Sequence, residues 1–187
     1  MRLFVALEIP SEVRENLAAF PKSLRALSSQ PRWVRPENLH LTLKFIGEVA
    51  PEKLGAIRSA LSAVHSDQAV TINFRGLGFF PNEKQPSVFW AGIDASPNLK
   101  TLAMDIDQTT EKLGIPREQR PFSPHLTLAR FEPPGLSDKL RATIQENAGR
   151  EFGSLCTNQF HLIESKLEPA GAEYTTLESF PFVVEEA

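Results

Sequence analysis

The chain has 187 residues, of which 41% are hydrophobic and 23% charged, and its formal net charge is −3. These values are typical of a soluble globular protein that forms one compact domain around its own core. The negative charge and the lack of Lys and Arg clusters exclude a protein that coats long nucleic acids, so we expect any nucleic-acid contact to be confined to a terminus, a short oligomer or a nucleotide.

The sequence pattern favours a cytoplasmic location. Residues 1–8 become charged and reach Pro10 too soon for a signal peptide, and no apolar run approaches membrane-spanning length. A single cysteine, Cys156, excludes an internal disulfide and favours a reducing compartment. We predict that Cys156 is a small buried side chain. We expect a cytoplasmic protein that is monomeric and contacts no membrane.

Hydrophobic periodicity predicts strands and helices in the same order in both halves of the chain. In the first half we predict a strand over residues 2–9, a helix from Ser11 to about Leu27, a strand over 39–46, a helix from Pro51 to about Val64, and a strand over 69–80 that is kinked or bulged near Gly76 and Gly78. In the second half we predict a strand over 87–94, a helix over 98–113, a strand over 125–131, a short helix over 137–147, and strands over 152–164 and 174–184.

The repeated order of strand, helix and strand indicates two duplicated halves related by an approximate two-fold axis. The helices are too few for a doubly wound parallel sheet, and several strands are hairpin-like neighbours. We therefore predict an α+β fold with mainly antiparallel sheets and helices packed outside. We expect residues 1–187 to form a single bilobal domain, because no linker separates the halves.

A nine-residue phrase, R-P-x-x-x-H-L-T-L, occurs at residues 35–43 and again at 120–128, an offset of 85 residues (125 − 40 = 85). At the same offset, Phe89 aligns with Phe4 in the strand that begins each half. Side chains alternate between the two faces of a strand, so each copy places its histidine and threonine on one face and its leucines on the other.

The two-fold axis would set His40 and Thr42 opposite His125 and Thr127 across a groove. Imidazole has an unperturbed pKa of about 6.5. One neutral histidine can therefore take a proton from an attacking oxygen, while the other, charged, gives one to the leaving oxygen of a displacement at phosphorus. The threonine hydroxyls can donate to the non-bridging phosphate oxygens.

Other residues give weaker signals. No H-E-x-x-H, C-x-x-C or carboxylate cluster accompanies the two histidines, so we expect neither a metal nor a cofactor. His161 lies between Phe160 and Leu162 on a predicted strand and should face away from the core. Trp33 and Trp90 could stack a nucleobase, although burial is the favoured interpretation of both.

The chain resembles the 2H phosphoesterase superfamily, which is defined by two H-x-[ST]-x motifs (HXTX motifs here). More closely, it resembles the bacterial and archaeal RNA 2′,3′-cyclic phosphodiesterases, also called 2′–5′ RNA ligase-like proteins. The matching segments are RLFVALEIP, NLHLTLKFIGEV, RPFSPHLTLAR and FHLIESKLEPAGAEYTTL, which are spread over nearly the whole chain. The resemblance implies a pseudo-symmetric α+β fold with a central cleft. It also implies metal-independent hydrolysis of RNA or nucleoside 2′,3′-cyclic phosphates to 2′-phosphates, and it extends to reversible 2′–5′ ligation of RNA ends.

The resemblance implies roles for the four motif residues. His40 is expected to be the proton donor and His125 the proton acceptor, whereas the sequence alone could not order them because the halves are nearly equivalent. Thr42 and Thr127 are expected to bind the phosphate.

Phe45 and Arg130 each follow a motif histidine by five residues. By analogy with the family, Arg130 is expected to act as a cation near the phosphate, and Phe45 as a packing or stacking surface for the substrate. Strand parity disagrees, because an odd spacing puts both side chains on the face opposite the histidines unless a strand end or a bulge intervenes. Core packing is an equally good interpretation of Phe45.

Two alternative functions stay open. The same cleft could belong to a non-catalytic module that binds nucleotides or RNA ends, in which case binding would survive substitution of the histidines. A related phosphoesterase could instead act on another substrate, such as ADP-ribose 1″,2″-cyclic phosphate or an RNA 3′ tail. The partners expected for the leading function are RNA ends, short oligonucleotides or cyclic nucleotides.

Overall fold

The structure, a computed structural model, describes residues 1–25, 32–80, 87–130 and 138–183. These residues form two β-sheets and four α-helices. The strands are β1 (Arg2–Glu8), β2 (Arg32–Trp33), β3 (His40–Glu48), β4 (Val70–Phe80), β5 (Val88–Ala95), β6 (His125–Arg130), β7 (Glu151–Thr157), β8 (Gln159–Glu168) and β9 (Gly171–Pro181). The helices are α1 (Ser11–Arg25), α2 (Leu54–Ser62), α3 (Asn98–Glu111) and α4 (Asp138–Glu146).

The two sheets have matching strand orders. The first runs β3-β1-β8-β9 and the second runs β2-β6-β5-β4-β7, with every neighbouring pair antiparallel. If the two-residue strand β2 is set aside, β3, β1, β8 and β9 correspond to β6, β5, β4 and β7. The predicted α+β fold with mainly antiparallel sheets is therefore confirmed.

The strand β1 is buried along its interior length, on both of its faces. Its odd-numbered apolar side chains enter the main core. Phe4 and Ala6 point to the opposite face, where they form a smaller apolar cluster with Ile163 and Tyr174. Because both faces are covered, the sequence of β1 is nearly continuously apolar instead of strictly alternating.

The helices interlock the two sheets. α1 follows β1 of the first sheet but packs against β7 of the second, where Asn16 Nδ2 donates to the carbonyl of Phe152 (2.9 Å). Gly153 has a φ of +124°, and a Cβ there would lie 2.9 Å from Val13, so glycine permits this close approach. α3 follows β5 of the second sheet and contacts β3 of the first. No described helix combines the length and apolarity needed to cross a membrane.

Some sequence predictions differ from the structure. The single strand predicted over 152–164 is wrong, because the segment forms β7 and β8 in different sheets. The break lies at Asn158, whose carbonyl accepts a hydrogen bond from the amide of Phe182 (2.8 Å). Both parts have strand-like sequences, so periodicity could not reveal the change of sheet. Cys156, predicted to be buried, is exposed because β7 is an edge strand whose outer face is uncovered.

Other predictions from the sequence agree with the structure. The irregularity predicted near Gly76 is confirmed, since the pairing of β4 with β5 shifts between Phe74 and Leu77 and Gly76 has a φ of +82°. The helix predicted from Pro51 begins as a 3₁₀ turn and becomes α-helical at Leu54. The predicted ends at Leu27, 131 and 184 lie outside the described residues.

Candidate active site

The two motif strands meet where the two sheets adjoin. β3 is the outer strand of the first sheet, and only β2 separates β6 from the edge of the second. The chain leaves β2 through Val34, whose amide donates to the carbonyl of Leu128 in β6 (2.9 Å), and enters β3 at His40. This short connection holds β3 beside β6, and Cα atoms of the two strands lie within 8 Å of each other.

The motif histidines share the same local geometry. His40 Nδ1 lies 3.2 Å from the carbonyl oxygen of Asn38, and His125 Nδ1 lies 3.0 Å from that of Ser123. A carbonyl oxygen only accepts hydrogen bonds, so Nδ1 carries the proton in both rings. In the neutral imidazole this leaves the lone pair on Nε2, the tautomer required for acid-base chemistry at that nitrogen.

Strand pairing shows which side chains share a face with each histidine, because directly opposed residues of antiparallel strands lie on the same face. In the first sheet, the pairs are His40 with Glu8, Thr42 with Ala6, and Phe45 with Phe4. In the second sheet, they are His125 with Gly92, Thr127 with Trp90, and Arg130 with Val88. Each threonine therefore shares a face with its histidine, as predicted.

The first strands of the two halves are offset by 84 residues (90 − 6 = 84), since Ala6 and Trp90 pair with the equivalent threonines. The predicted alignment of Phe89 with Phe4 is therefore wrong by one residue. Phe89 lies in the main core, whereas Phe4 belongs to the smaller cluster on the histidine face. The cause is that the chain from Trp90 to Thr127 is one residue longer than the chain from Ala6 to Thr42.

A β-bulge in each motif strand changes the strand parity. The pairing skips Leu43 in β3 and Leu128 in β6, positions that correspond at the offset of 85 (128 − 43 = 85). The extra residue brings Phe45 and Arg130 onto the histidine face, despite their odd spacing from the histidines. The bulge that an inward-facing Arg130 requires is therefore present, and simple strand parity does not apply beyond it. Core packing of Phe45 is wrong, because this side chain is 63% exposed.

The two histidines have different surroundings. His40 is half-buried, with the rings of Phe4 and Tyr174 at centroid distances of 6.3 and 5.7 Å. His125 is exposed, and the indole of Trp90 lies 6.3 Å from its ring. The site therefore encloses one imidazole more than the other, which neither copy of the motif indicates.

The enclosure of His40 affects its protonation. Burial lowers the pKa of His40 below its ordinary value, and this outweighs the hydrogen bond to the Asn38 carbonyl, which favours the charged form. Arg14 and His161 add to the lowering, while Glu8 opposes it. These surroundings thus favour the neutral form of His40.

Arg35, the first residue of the motif phrase, has a structural role. Arg35 and Asn38 both donate hydrogen bonds to the carbonyl of Ala172 in β9, at 2.5 and 2.9 Å. These bonds attach the turn before His40 to the β8–β9 hairpin, from which Tyr174 packs against the imidazole. Tyr174 is in neither HXTX motif, and only its place in the last family-like segment points to it.

Lys44 and Asp107 form a buried ion pair behind the motif strand. Lys44 is 4% exposed, and its Nζ donates to Asp107 Oδ1 (2.6 Å) and to the carbonyl of Pro116 (2.7 Å). Asp107 Oδ1 also accepts from the amide of Glu118 (3.1 Å). Burial raises the pKa of Asp107, but these hydrogen bonds outweigh burial and hold the pKa below its ordinary value. The pair joins β3 to α3 and to the segment that leads into the second motif.

A third histidine lies on the face of the first motif. His161 pairs with Ala6 and faces away from the main core, as predicted, but it is only 6% exposed. Its Nδ1 lies 2.7 Å from Ser179 Oγ, and its Nε2 lies 3.7 Å from Glu8 Oε2. Among the described residues, no three His, Cys, Asp or Glu side chains are placed to hold one metal ion.

The duplicated site can be compared with known families. The family model of LigT-like phosphoesterases matches residues 7–90 and 93–174, which together cover both motifs. The chain belongs to the LigT-like phosphoesterase family. Two relatives are named RNA 2′,3′-cyclic phosphodiesterase. The protein of Archaeoglobus fulgidus is 38% identical over 182 residues, covering 96% of this chain and 99% of the relative. That of Methanothermobacter thermautotrophicus is 34% identical over 181 residues, covering 96% and 98%.

Two solved structures have the same fold. A crystal structure of a protein from Thermus thermophilus matches with a TM-score of 0.81 and 33% identity, and covers 100% of both chains. Escherichia coli LigT, crystallised with 3′-AMP, matches with a TM-score of 0.75 and 28% identity over 97% of both chains.

Proposed function

We propose that the protein hydrolyses the 2′,3′-cyclic phosphate of RNA ends and nucleotides to a 2′-phosphate, without a metal. The relatives that carry the name RNA 2′,3′-cyclic phosphodiesterase support this substrate class. The observation that carries the mechanism is the pair of matched histidines on β3 and β6, neighbouring strands of the two sheets, each held in the same tautomer by a carbonyl two residues earlier.

In the proposed reaction, water attacks phosphorus while the Nε2 of His125 accepts its proton. The bond from phosphorus to O3′ breaks, and the Nε2 of His40 donates a proton to O3′, so the phosphate stays on O2′. A donor must be charged, whereas burial lowers the pKa of His40 and so favours its neutral form. The negative charge of a bound phosphate favours the charged imidazole of His40, which takes its Nε2 proton from solvent before the bond to O3′ breaks and then donates that proton to O3′.

The remaining side chains of the site are assigned to phosphate and substrate binding. Thr42 and Thr127 donate hydrogen bonds to the non-bridging oxygens, where negative charge builds up in the transition state. Arg130, exposed on the face of His125, adds a cation near the phosphate. Phe45, exposed on the face of His40, contacts the substrate through its ring.

The test is incubation of the protein with each of the four nucleoside 2′,3′-cyclic monophosphates in EDTA. We expect the nucleoside 2′-phosphate as product and a fall in rate of at least about 10²-fold in His40→Ala and in His125→Ala, since each removes one proton transfer. His65→Ala, outside both motifs, is the matched control and should keep its activity.

Two results would contradict the proposal. The first is the absence of turnover with every cyclic phosphate both in EDTA and in buffer supplemented with divalent metals. The second is activity that depends on added metal. Nucleotide binding that persists in His40→Ala, together with no turnover by the wild type, would instead identify a non-catalytic binding module.

A further inference from the structure

The indole of Trp90 lies beside the second motif. Trp90 pairs with Thr127, one row of side chains from His125, and the centroids of the indole and the imidazole are 6.3 Å apart. Its side chain is half-buried, so part of the aromatic ring stays accessible on this face. The proposed mechanism gives this aromatic surface no role.

A glycine in the neighbouring strand fixes the indole in place. Gly78 is the cross-strand partner of Trp90 in β4, and a Cβ on Gly78 would lie 2.3 Å from the indole atoms Cη2 and Cζ2. A Cβ on Gly92 would lie 3.5 Å from Cζ3 of the same ring. The six-membered ring therefore packs directly on the backbone of β4, an approach that only glycine permits. A ring held in this way loses little conformational freedom when a ligand binds.

The corresponding position in the first sheet carries no aromatic side chain. There the row beside the threonine runs Thr42, Ala6 and His161, whereas in the second sheet it runs Thr127, Trp90 and Gly78. The large side chain of this row is Trp90 on β5 in the second half and His161 on β8 in the first half. The indole makes the otherwise matched threonine rows different, because the rings next to the first motif, those of Phe4 and Tyr174, belong to other rows of side chains.

We propose that Trp90 forms the nucleobase subsite, on which the base of the substrate stacks while its cyclic phosphate lies between the two histidines. This inference rests on the proposed cyclic phosphodiesterase activity. Only a single ribose separates the base from the 2′,3′-phosphate. When the phosphate lies next to Thr127, the base is therefore within reach of Trp90, which pairs with Thr127. Every base has a π-face that can stack on an aromatic ring, so the subsite accepts all four bases.

The test compares a nucleotide with a base-free substrate. Trp90→Ala should raise the KM for adenosine 2′,3′-cyclic phosphate on the order of tenfold to a hundredfold, the value of one stacked base. The KM for methyl riboside 2′,3′-cyclic phosphate, which has no base, should stay the same. Gly78→Ala should reproduce this pattern by displacing the ring. Gly55→Ala is the matched control, because a Cβ there meets no atom within 4 Å.

A binding experiment separates this subsite from the proposed chemistry. The chain has two tryptophans, so Trp33→Phe leaves Trp90 as the only one. Adenosine 2′-monophosphate should quench its fluorescence, and ribose 2-phosphate should not. If the wild type hydrolyses no cyclic phosphate but the quenching is seen, the subsite stands and the hydrolysis fails.

Three results would overturn the subsite. One is a KM that rises equally for the nucleotide and the base-free substrate in Trp90→Ala. Another is a base-dependent loss in Phe45→Ala that is absent from Trp90→Ala. The third is fluorescence of Trp90 that does not respond to adenosine 2′-monophosphate. If Trp90→Ala does not fold, Trp90→Phe replaces it, with a smaller rise in KM for the nucleotide alone.

Discussion

His40 sits among aromatic rings, so its titration should differ from that of a free imidazole. Burial keeps the neutral form favoured, and we expect its pKa in the free protein to lie below about 6.5. The measurement is an NMR titration of the imidazole resonances, with His40→Ala to assign the signal. A pKa at or above the ordinary value would contradict the role of burial.

Inorganic phosphate should move the same titration in the opposite direction. An anion between the two imidazoles stabilises the charged form of His40, so its pKa should rise when phosphate is added at constant ionic strength. His125→Ala is a useful comparison, because it keeps His40 but weakens the two-sided phosphate site. Chloride at the same ionic strength serves as the control, and an equal rise with chloride would exclude specific phosphate binding.

The threonines test whether the site stabilises charge on the phosphate. Thr42→Val and Thr127→Val keep the shape of the side chain but remove a hydrogen-bond donor, so we expect kcat to fall by about 10²-fold in each. Thr71→Val, on the exposed surface of β4, should leave kcat unchanged. A rise in KM with unchanged kcat would show that the hydroxyls bind the ground state and the transition state equally.

Among the secondary-structure elements, β3 and α3 are joined by the pair Lys44 and Asp107. Lys44→Met would leave the carboxylate of Asp107 with only Arg117, 3.5 Å away, as a charged partner, and we expect a loss of at most about 3–5 kcal/mol in the free energy of unfolding. Arg58→Ala is the matched control, because the ion pair of Arg58 with Glu178 is exposed and should contribute less than about 1 kcal/mol.

Urea unfolding at neutral pH measures both variants. The double variant Lys44→Met with Asp107→Leu should recover much of the loss, because it leaves no unpaired buried charge. If Lys44→Met unfolds at the same urea concentration as the wild type, the pair does not hold β3 to α3.

The motif strands show how far sequence reasoning reaches at this scale. Their period of two correctly placed each threonine with its histidine. The same period placed Phe45 and Arg130 on the wrong face. A bulge adds one residue without a cross-strand partner, and the apolar residues around it give no sign of that extra residue. The segment over 152–164 failed for a related reason, since two strands in different sheets have the same periodicity as one long strand.

At the scale of the whole molecule, stability should fall as the pH decreases. The pKa values of His40, His161 and Asp107 all lie below their ordinary values in the folded protein, so the unfolded chain binds protons more readily. The contribution of the two histidines is present above about pH 6.5 and is lost as the pH falls through their folded pKa values. That of Asp107 is lost only below about pH 4.

The measurement is the urea midpoint at mildly alkaline and mildly acidic pH. His161→Gln cannot titrate, so its midpoint should change less between the two conditions than that of the wild type. A wild-type midpoint that stays constant or rises on acidification would contradict this linkage.

The duplicated architecture could be predicted from the sequence because the repeated phrase is long and both halves have the same order of strand, helix and strand. The sequence did not reveal that β8 lies between β1 and β9, since pairing between distant segments depends on tertiary packing. The packing of Tyr174 against His40 and the contact of Trp90 with Gly78 could not be predicted for the same reason. Each requires strands that are far apart in the chain.

The inner position of β8 has a consequence for protein synthesis. A nascent chain that has emerged only as far as Asn158 contains both HXTX motifs, but its first strand then has β3 on one side and no partner on the other. Ile163, which completes the apolar cluster with Phe4 and Ala6, is still missing. Because the motifs are translated before the strand that supports them, a ribosome-bound chain should stay inactive toward RNA ends until β8 has emerged.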